Sequence, residues 1–188
     1  MPLSFDLLPA ERELLSQLAH QSIETYMAGN RSPVSPSDSV KKSQTLQRSL
    51  GGFVTLYMDG QLRGCIGHIV GSGPLYATIW DMARAAAFQD PRFHPLRAAE
   101  WPHVHMEISV LDELTPCPSV DEIEIGRHGL LLQYRGHSGV FLPQVPVDQG
   151  WDLYAYLKHL CLKAGVHDKA WQEADAHLYW YEALVFPA

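Results

Sequence analysis

Asp59-Gly60 stands between two β-rich runs, GFVTLYM at 52–58 and QLRGCIGHIV at 61–70. An Asp-Gly pair readily supplies the two positive-φ residues of a tight primed turn, whose twist matches that of paired strands. The stretch therefore predicts an antiparallel hairpin. Farther along, HGLLLQY and VFLPQV flank Arg135-Gly136-His137-Ser138-Gly139, which predicts a second hairpin with a longer loop. HVHMEISVL, 103–111, alternates as a strand, with Val104, Met106, Ile108 and Val110 on one side and His103, His105, Glu107 and Ser109 on the other. The chain ends in one predicted strand, HLYWYEALVF.

Helical periods separate these runs. Residues 9–28 place Leu15, Leu18, Ala19, Ser22, Ile23 and Tyr26 on one stripe after Pro9, and Gly29-Asn30 stops it. A second helix runs from Ser72 and Pro74 to Gln89 and ends before Pro91. A third is predicted over 148–164, with Gly165 at its end, and a short one near 168–175. Residues 29–45, with five Ser and two Pro, read as a surface loop. Two hairpins with separate helices argue for antiparallel α+β architecture rather than a doubly wound parallel sheet.

Charge and composition narrow the function. Fourteen Lys and Arg against 21 Asp and Glu give a net charge of −7. Binding a phosphate backbone needs clustered cations, and Lys41, Lys42 and Arg48 make only a thin patch, so nucleic acid is an unfavourable partner. No apolar run is long enough for a membrane span. MPLSFDLLPAERE has no basic leader region, and Cys65, Cys117 and Cys161 form neither a disulfide framework nor a CxxC site. The expectation is a reduced, cytoplasmic protein. P-loop, GxGxxG, HExxH and GxSxG patterns are absent, so no cofactor is expected.

Several residues invite a chemical reading. In LRGCIG, two glycines within a strand mark a close approach of backbone or ligand. The neighbouring Arg63 favours thiolate at Cys65 and so a nucleophile, while a free cysteine equally suits a small buried position. In Asp90-Pro91-Arg92-Phe93, Arg92 either clamps a carboxylate or phosphate or pairs with Asp90 to shape a loop. His103, His105 and Glu107 look like a metal set, but the outer two lie about 13 Å apart along a strand, so no metal is assigned. Glu107 is either a general base or the partner of Arg63 or Arg92 in an ion pair. Gln144 suits a polar ligand group, and Lys163 lies where a helix end favours a cation anyway.

GGFVTLYMDGQLRGCIGHI, DPRFHPL, EISVLDEL, IEIGRHGLLL, GVFLPQV with Trp151, and CLKAGV followed by Trp171 occur in that order. Together, over roughly residues 10–186, they resemble the AMMECR domain family, whose bacterial and archaeal members are called AmmeMemoRadiSam system protein A. The resemblance implies one domain over 1–188 made of two unequal α+β lobes, each with an antiparallel sheet. The larger lobe would hold both termini, and LRGCIG would face a cleft between the lobes. It implies a pathway shared with a Memo-like protein and a radical-SAM enzyme, and leaves the reaction unnamed. Two functional readings follow. In the first, the protein binds or transforms a ligand: Cys65 and Glu107 are the catalytic candidates, and Arg63, Asp90, Arg92, His128, Gln144 and Lys163 the ligand-binding ones. In the second, the protein is a non-catalytic adaptor gripping a peptide or protein partner, the Memo-like protein being one such partner.

Overall fold

The computed structural model describes residues 3–188; Met1 and Pro2, the start of the segment expected not to be a leader, lie outside the described residues. The first helix, α1 (Pro9–Met27), begins where Pro9 presets the backbone and the Glu11 carboxylate accepts the Leu8 N–H at 3.0 Å. Its apolar stripe, with Leu15, Leu18, Ala19 and Ile23, is buried. The predicted hairpin follows as β1 (Gly51–Met58) and β2 (Gln61–His68), with Asp59 and Gly60 at φ 53° and 73°. Two short helices, α2 (Asp38–Lys42) and α3 (Gln44–Gln47), precede this hairpin, and helix α4 (Leu75–Phe88) and strand β3 (Val104–Leu111) follow it.

These two short helices correct the reading of 29–45 as plain loop. Ser37 and Ser43 are helix N-caps, their hydroxyls accepting the N–H groups of Val40 and Leu46. Val40 and Leu46 are almost fully buried, so single apolar anchors hold down a serine-rich surface segment. The serines that signalled irregular structure are the start signals of helices.

The chain divides into two compact units. One runs to Leu111 and takes up Leu184–Ala188, and the other is Asp112–Ala183. The fold is α+β, with two antiparallel four-stranded sheets. In the first unit the sheet order is β2-β1-β3-β8, where β8 is Ala183–Pro187. Val54 and Leu56 of β1 and Met106, Ile108 and Val110 of β3 join Leu15 and Ile23 of α1 and Leu75, Ile79 and Ala83 of α4 in one core. Burying each such large apolar side chain contributes about 1.5–3 kcal/mol. Ser22 donates to the Trp80 carbonyl at 2.6 Å, joining α1 to α4 through the core.

The second unit has the order β4-β7-β5-β6, from β4 (Thr115–Pro116), β5 (Gly129–Tyr134), β6 (His137–Phe141) and β7 (Ala176–Tyr181). Leu130, Leu132 and Tyr134 of β5 pack with Tyr156, Leu157, Leu160 and Cys161 of α6 (Leu153–Lys163). Asp152 caps α6 by accepting the Ala155 N–H at 2.8 Å, which sets its start after the predicted residue 148.

Three expectations change here. The second hairpin turns on Arg135-Gly136 alone, because Arg135 takes φ 49°. LPQV leaves the strand, and α5 (Gln144–Asp148) starts directly after Pro143. HLYWYEALVF is two strands rather than one, β7 in the second sheet and β8 in the first.

Ser37→Ala and Ser43→Ala each remove an N-cap acceptor and should lower unfolding free energy by about 1 kcal/mol. The shift of the urea midpoint at unchanged slope measures it; a change below a few tenths of a kcal/mol would show that the caps are idle.

Candidate functional site

β2 is an edge strand, and one residue of irregular register decides what it presents. Next to the turn Met58 pairs with Gln61 and Tyr57 with Leu62, but beyond a bulge Leu56 pairs with Gly64 and Thr55 with Cys65. Uninterrupted pairing would have set Cys65 against Val54, on the core face. The bulge turns Cys65 to the opposite face, because a one-residue slip inverts every side chain beyond it. The two glycines are packing requirements. A Cβ on Gly64 would lie 2.2 Å from the Ala86 carbonyl oxygen of α4, and one on Gly67 would lie 2.2 Å from the Phe53 ring.

An edge strand exposes unpaired backbone groups, and here the residues after α4 take them up. The Cys65 N–H donates to Asp90 Oδ2 at 2.9 Å, and the Cys65 carbonyl accepts from Arg92 Nη2 at 3.1 Å. Asp90 Oδ2 also accepts from Arg92 Nη2 at 2.7 Å, and Oδ1 accepts from the Arg92 N–H and Nε, both at 3.0 Å. The Asp90 side chain is only 1% exposed, yet its carboxylate receives four hydrogen bonds. The Arg92 guanidinium, with the backbone N–H groups behind it, holds the Asp90 carboxyl down to about 2 against the opposing effect of burial. The Asp90 carboxylate in turn raises Arg92, to which the Cys65 thiol adds.

The thiol of Cys65 is half-buried and accepts a hydrogen bond from the Thr55 hydroxyl at 3.3 Å. Thr55 also pairs in register with Glu107 of β3, so Cys65, Thr55 and Glu107 share one face in a row. Two strand spacings, about 10 Å, separate the backbones of Cys65 and Glu107, with Thr55 between them. The expected pairing of Glu107 with Arg63 or Arg92 is replaced. Arg63, at the bulge, binds Glu100 through Nε and Nη2, both at 3.2 Å, and Arg92 binds Asp90. Arg63, with Arg97 assisting, holds the Glu100 carboxyl down to about 2.

Beside this clamp lies a pocket of 540 Å³ lined by Arg63, Arg92, Phe93, His94, Arg97 and Glu100. Pro91 completes this lining, of which the sequence marked only Arg63 and Arg92 as site candidates. Arg97 and Glu100 are three residues apart, and Glu100 accepts both the backbone N–H and the Nε of Arg97. Thr55 was also missed, because counting pairs from Asp59-Gly60 without the bulge sets it against Gly64.

The other candidates belong to the second unit. His128 is buried; its Nδ1 accepts the Glu124 N–H at 3.0 Å, and its ring lies 4.3 Å from that of Trp180. Burial, with Arg127 nearby, pushes its pKa below the ordinary value, as suits an imidazole used as an acceptor in a turn. Lys163 lies 4.2 Å over the Phe141 ring, and Gln144 opens α5. Cys161 is in the core and Cys117 donates to the Ser119 carbonyl; burial pushes both thiols up. Among the described residues no three His, Cys, Asp or Glu side chains converge as a metal requires, and no helix is long and apolar enough to cross a membrane.

The AMMECR1 family model matches residues 16–186. A protein of Methanopyrus kandleri is 40% identical over 186 residues, covering 94% of this chain and 87% of its own length. One of Methanocaldococcus jannaschii is 38% identical over 176 residues, covering 89% and 85%. The crystal structure of an uncharacterized protein from Pyrococcus horikoshii superposes with a TM-score of 0.84 at 34% identity, covering 93% of this chain and 90% of the other.

The carboxyl of Asp90 is depressed in the folded protein relative to an unfolded value near 3.8. Its stabilisation is therefore fully present above pH 3.8 and is lost as pH falls through about 2. Asp90→Asn should cost about 2 kcal/mol at neutral pH, because an amide turns N–H groups toward donors. The gap between the two proteins should close between pH 4 and 2. Denaturant titrations across that range test this, and a gap that persists at pH 2 would contradict it.

Proposed function

The chain belongs to the AMMECR1 family, and we propose that it binds a small-molecule ligand or substrate at the β2 clamp, with Cys65 as the reacting group. The observation that carries this reading is the setting of Cys65. Its backbone is gripped through both N–H and carbonyl by Asp90 and Arg92, and its sulfur accepts from Thr55. A half-buried thiol with a hydroxyl donor on its sulfur and a guanidinium bound to its own backbone carbonyl has surroundings that suit a nucleophilic or redox-active cysteine. A merely space-filling cysteine needs none of this, as Cys161 illustrates. Arg63, Asp90 and Arg92 act on this reading as positioning and binding residues. Glu107 sits one strand beyond Thr55 and would act through it rather than at the sulfur.

A place in a modification pathway with a Memo-like protein and a radical-SAM enzyme is the part of this proposal supported by the family resemblance. The adaptor reading draws on a different observation: Ile125, Val147, Tyr154 and Leu162 of the second unit are large apolar side chains left exposed. Retention of a purified Memo-like protein by the wild type, lost on Tyr154→Ser with Leu162→Ser, would favour it.

The reactive-thiol reading makes a direct prediction. With limiting iodoacetamide under native conditions, Cys65 should be carboxamidomethylated at least about ten times faster than Cys161. Arg92→Ala should slow the reaction at Cys65 without speeding it at Cys161. Peptide mass spectrometry over time gives both rates, and a Cys65 no faster than Cys161 would remove the thiol from the proposal.

A further inference from the structure

The pocket beside the clamp has a charge and a hydrogen-bonding pattern that define its ligand more closely. Arg63 and Arg92 are each held by a carboxylate on the Nε and Nη2 edge, Arg63 by Glu100 and Arg92 by Asp90. Such fork-to-fork pairs fix the plane of a guanidinium and leave its other edge available. The remaining nitrogen of Arg63, Nη1, is buried and has no hydrogen-bond partner among the described residues. A buried charged donor without an acceptor is costly, and because Arg63 lines the pocket, an oxyanion that reached Nη1 would relieve it. Arg97 adds a third guanidinium, 81% exposed and tethered to Glu100 through Nε. Three guanidinium groups against two carboxylates leave the cluster net positive, in a chain whose net charge is −7. His94 contributes a further donor to the lining and Phe93 an apolar wall. The volume, 540 Å³, falls within the range of small-molecule sites.

We infer that this pocket is an oxyanion site that takes the phosphate or carboxylate head of a small molecule, with Arg63, Arg92 and Arg97 as its ligands. The inference rests on reading the β2 clamp as a ligand site and adds the class of ligand. Glu100 is then a positioning residue: it orients Arg63 and Arg97 and offsets the repulsion between their guanidinium groups.

The test is titration of the full chain with inorganic phosphate and separately with succinate, at ionic strength held constant with sodium chloride, followed by backbone amide shifts. The expected result is saturable shifts confined to residues 63–65 and 91–100, with the two anions competing. The tighter of the two identifies the head group. Arg97→Ala, which removes only an exposed bridge of small stability value, should weaken binding about tenfold while melting like the wild type. A double variant, Arg63→Gln with Glu100→Gln, removes both charges without stranding either and should abolish saturation. Shifts that fail to saturate, or that persist unchanged in both variants, would overturn the inference. So would tighter binding of a single-stranded oligonucleotide than of either anion, since phosphate would then be mimicking a nucleic-acid backbone. Anion binding with an inert Cys65 would remove the reactive thiol and keep the oxyanion site. A reactive Cys65 without anion binding would do the reverse.

Discussion

The Asp90 carboxylate is where the first unit's sequence motifs become one structure. It is almost fully buried, and burial alone would drive it toward the neutral acid. It stays charged because four donors converge on its two oxygens, three of them from Arg92 and one from the backbone of Cys65. The same contact does three things at once. It ends α4 in a fixed turn. It occupies the backbone of an edge strand that would otherwise be open to pairing with another chain. It also fixes Arg92, and with it one wall of the pocket. Along the chain 22 residues, α4 among them, separate LRGCIG from DPRF; in space they are one hydrogen-bonded unit.

A similar economy appears around Glu100. Its carboxylate accepts from Arg63 of β2 and from both backbone and side chain of Arg97. The segment after DPRF is thereby held to the bulge of β2 without regular secondary structure of its own. The pocket between these two carboxylate clamps is therefore preorganised by ion pairs on one side of each arginine. The second unit follows a different logic. Its polar anchors are phenols: Tyr156 and Tyr181 both donate to the Phe141 carbonyl, and Tyr156 also donates to that of His128. His128 serves a turn there, and burial pushes both phenols well above their ordinary range.

Features governed by a few adjacent residues were legible in advance. Asp59-Gly60 announced its hairpin because positive φ at two successive positions is a local property. The stripes of α1 and α4 announced helices because a period of 3.6 is repeated within each. The serines of 29–45 misled because the residue type that disrupts a helix interior also starts one. Only the burial of Val40 and Leu46 decides between the two. Arg135 misled for a related reason: a residue other than glycine holds φ 49° because the strands on either side fix the turn around it.

The sequence alone determined the α+β class, the antiparallel pairing, the acidic charge, and a set of polar residues in LRGCIG and DPRF worth watching. These follow from short-range periodicity, turn chemistry and composition, none of which needs a distant partner. Only the tertiary structure decided which partner each charge took, because Arg63 has no local signal favouring Glu100 over Glu107. It alone decided that Cys65 faces away from the core, since that hangs on one bulged residue whose effect reverses the strand. And it alone split the last apolar run between two sheets, because β propensity names a strand and not the sheet that receives it.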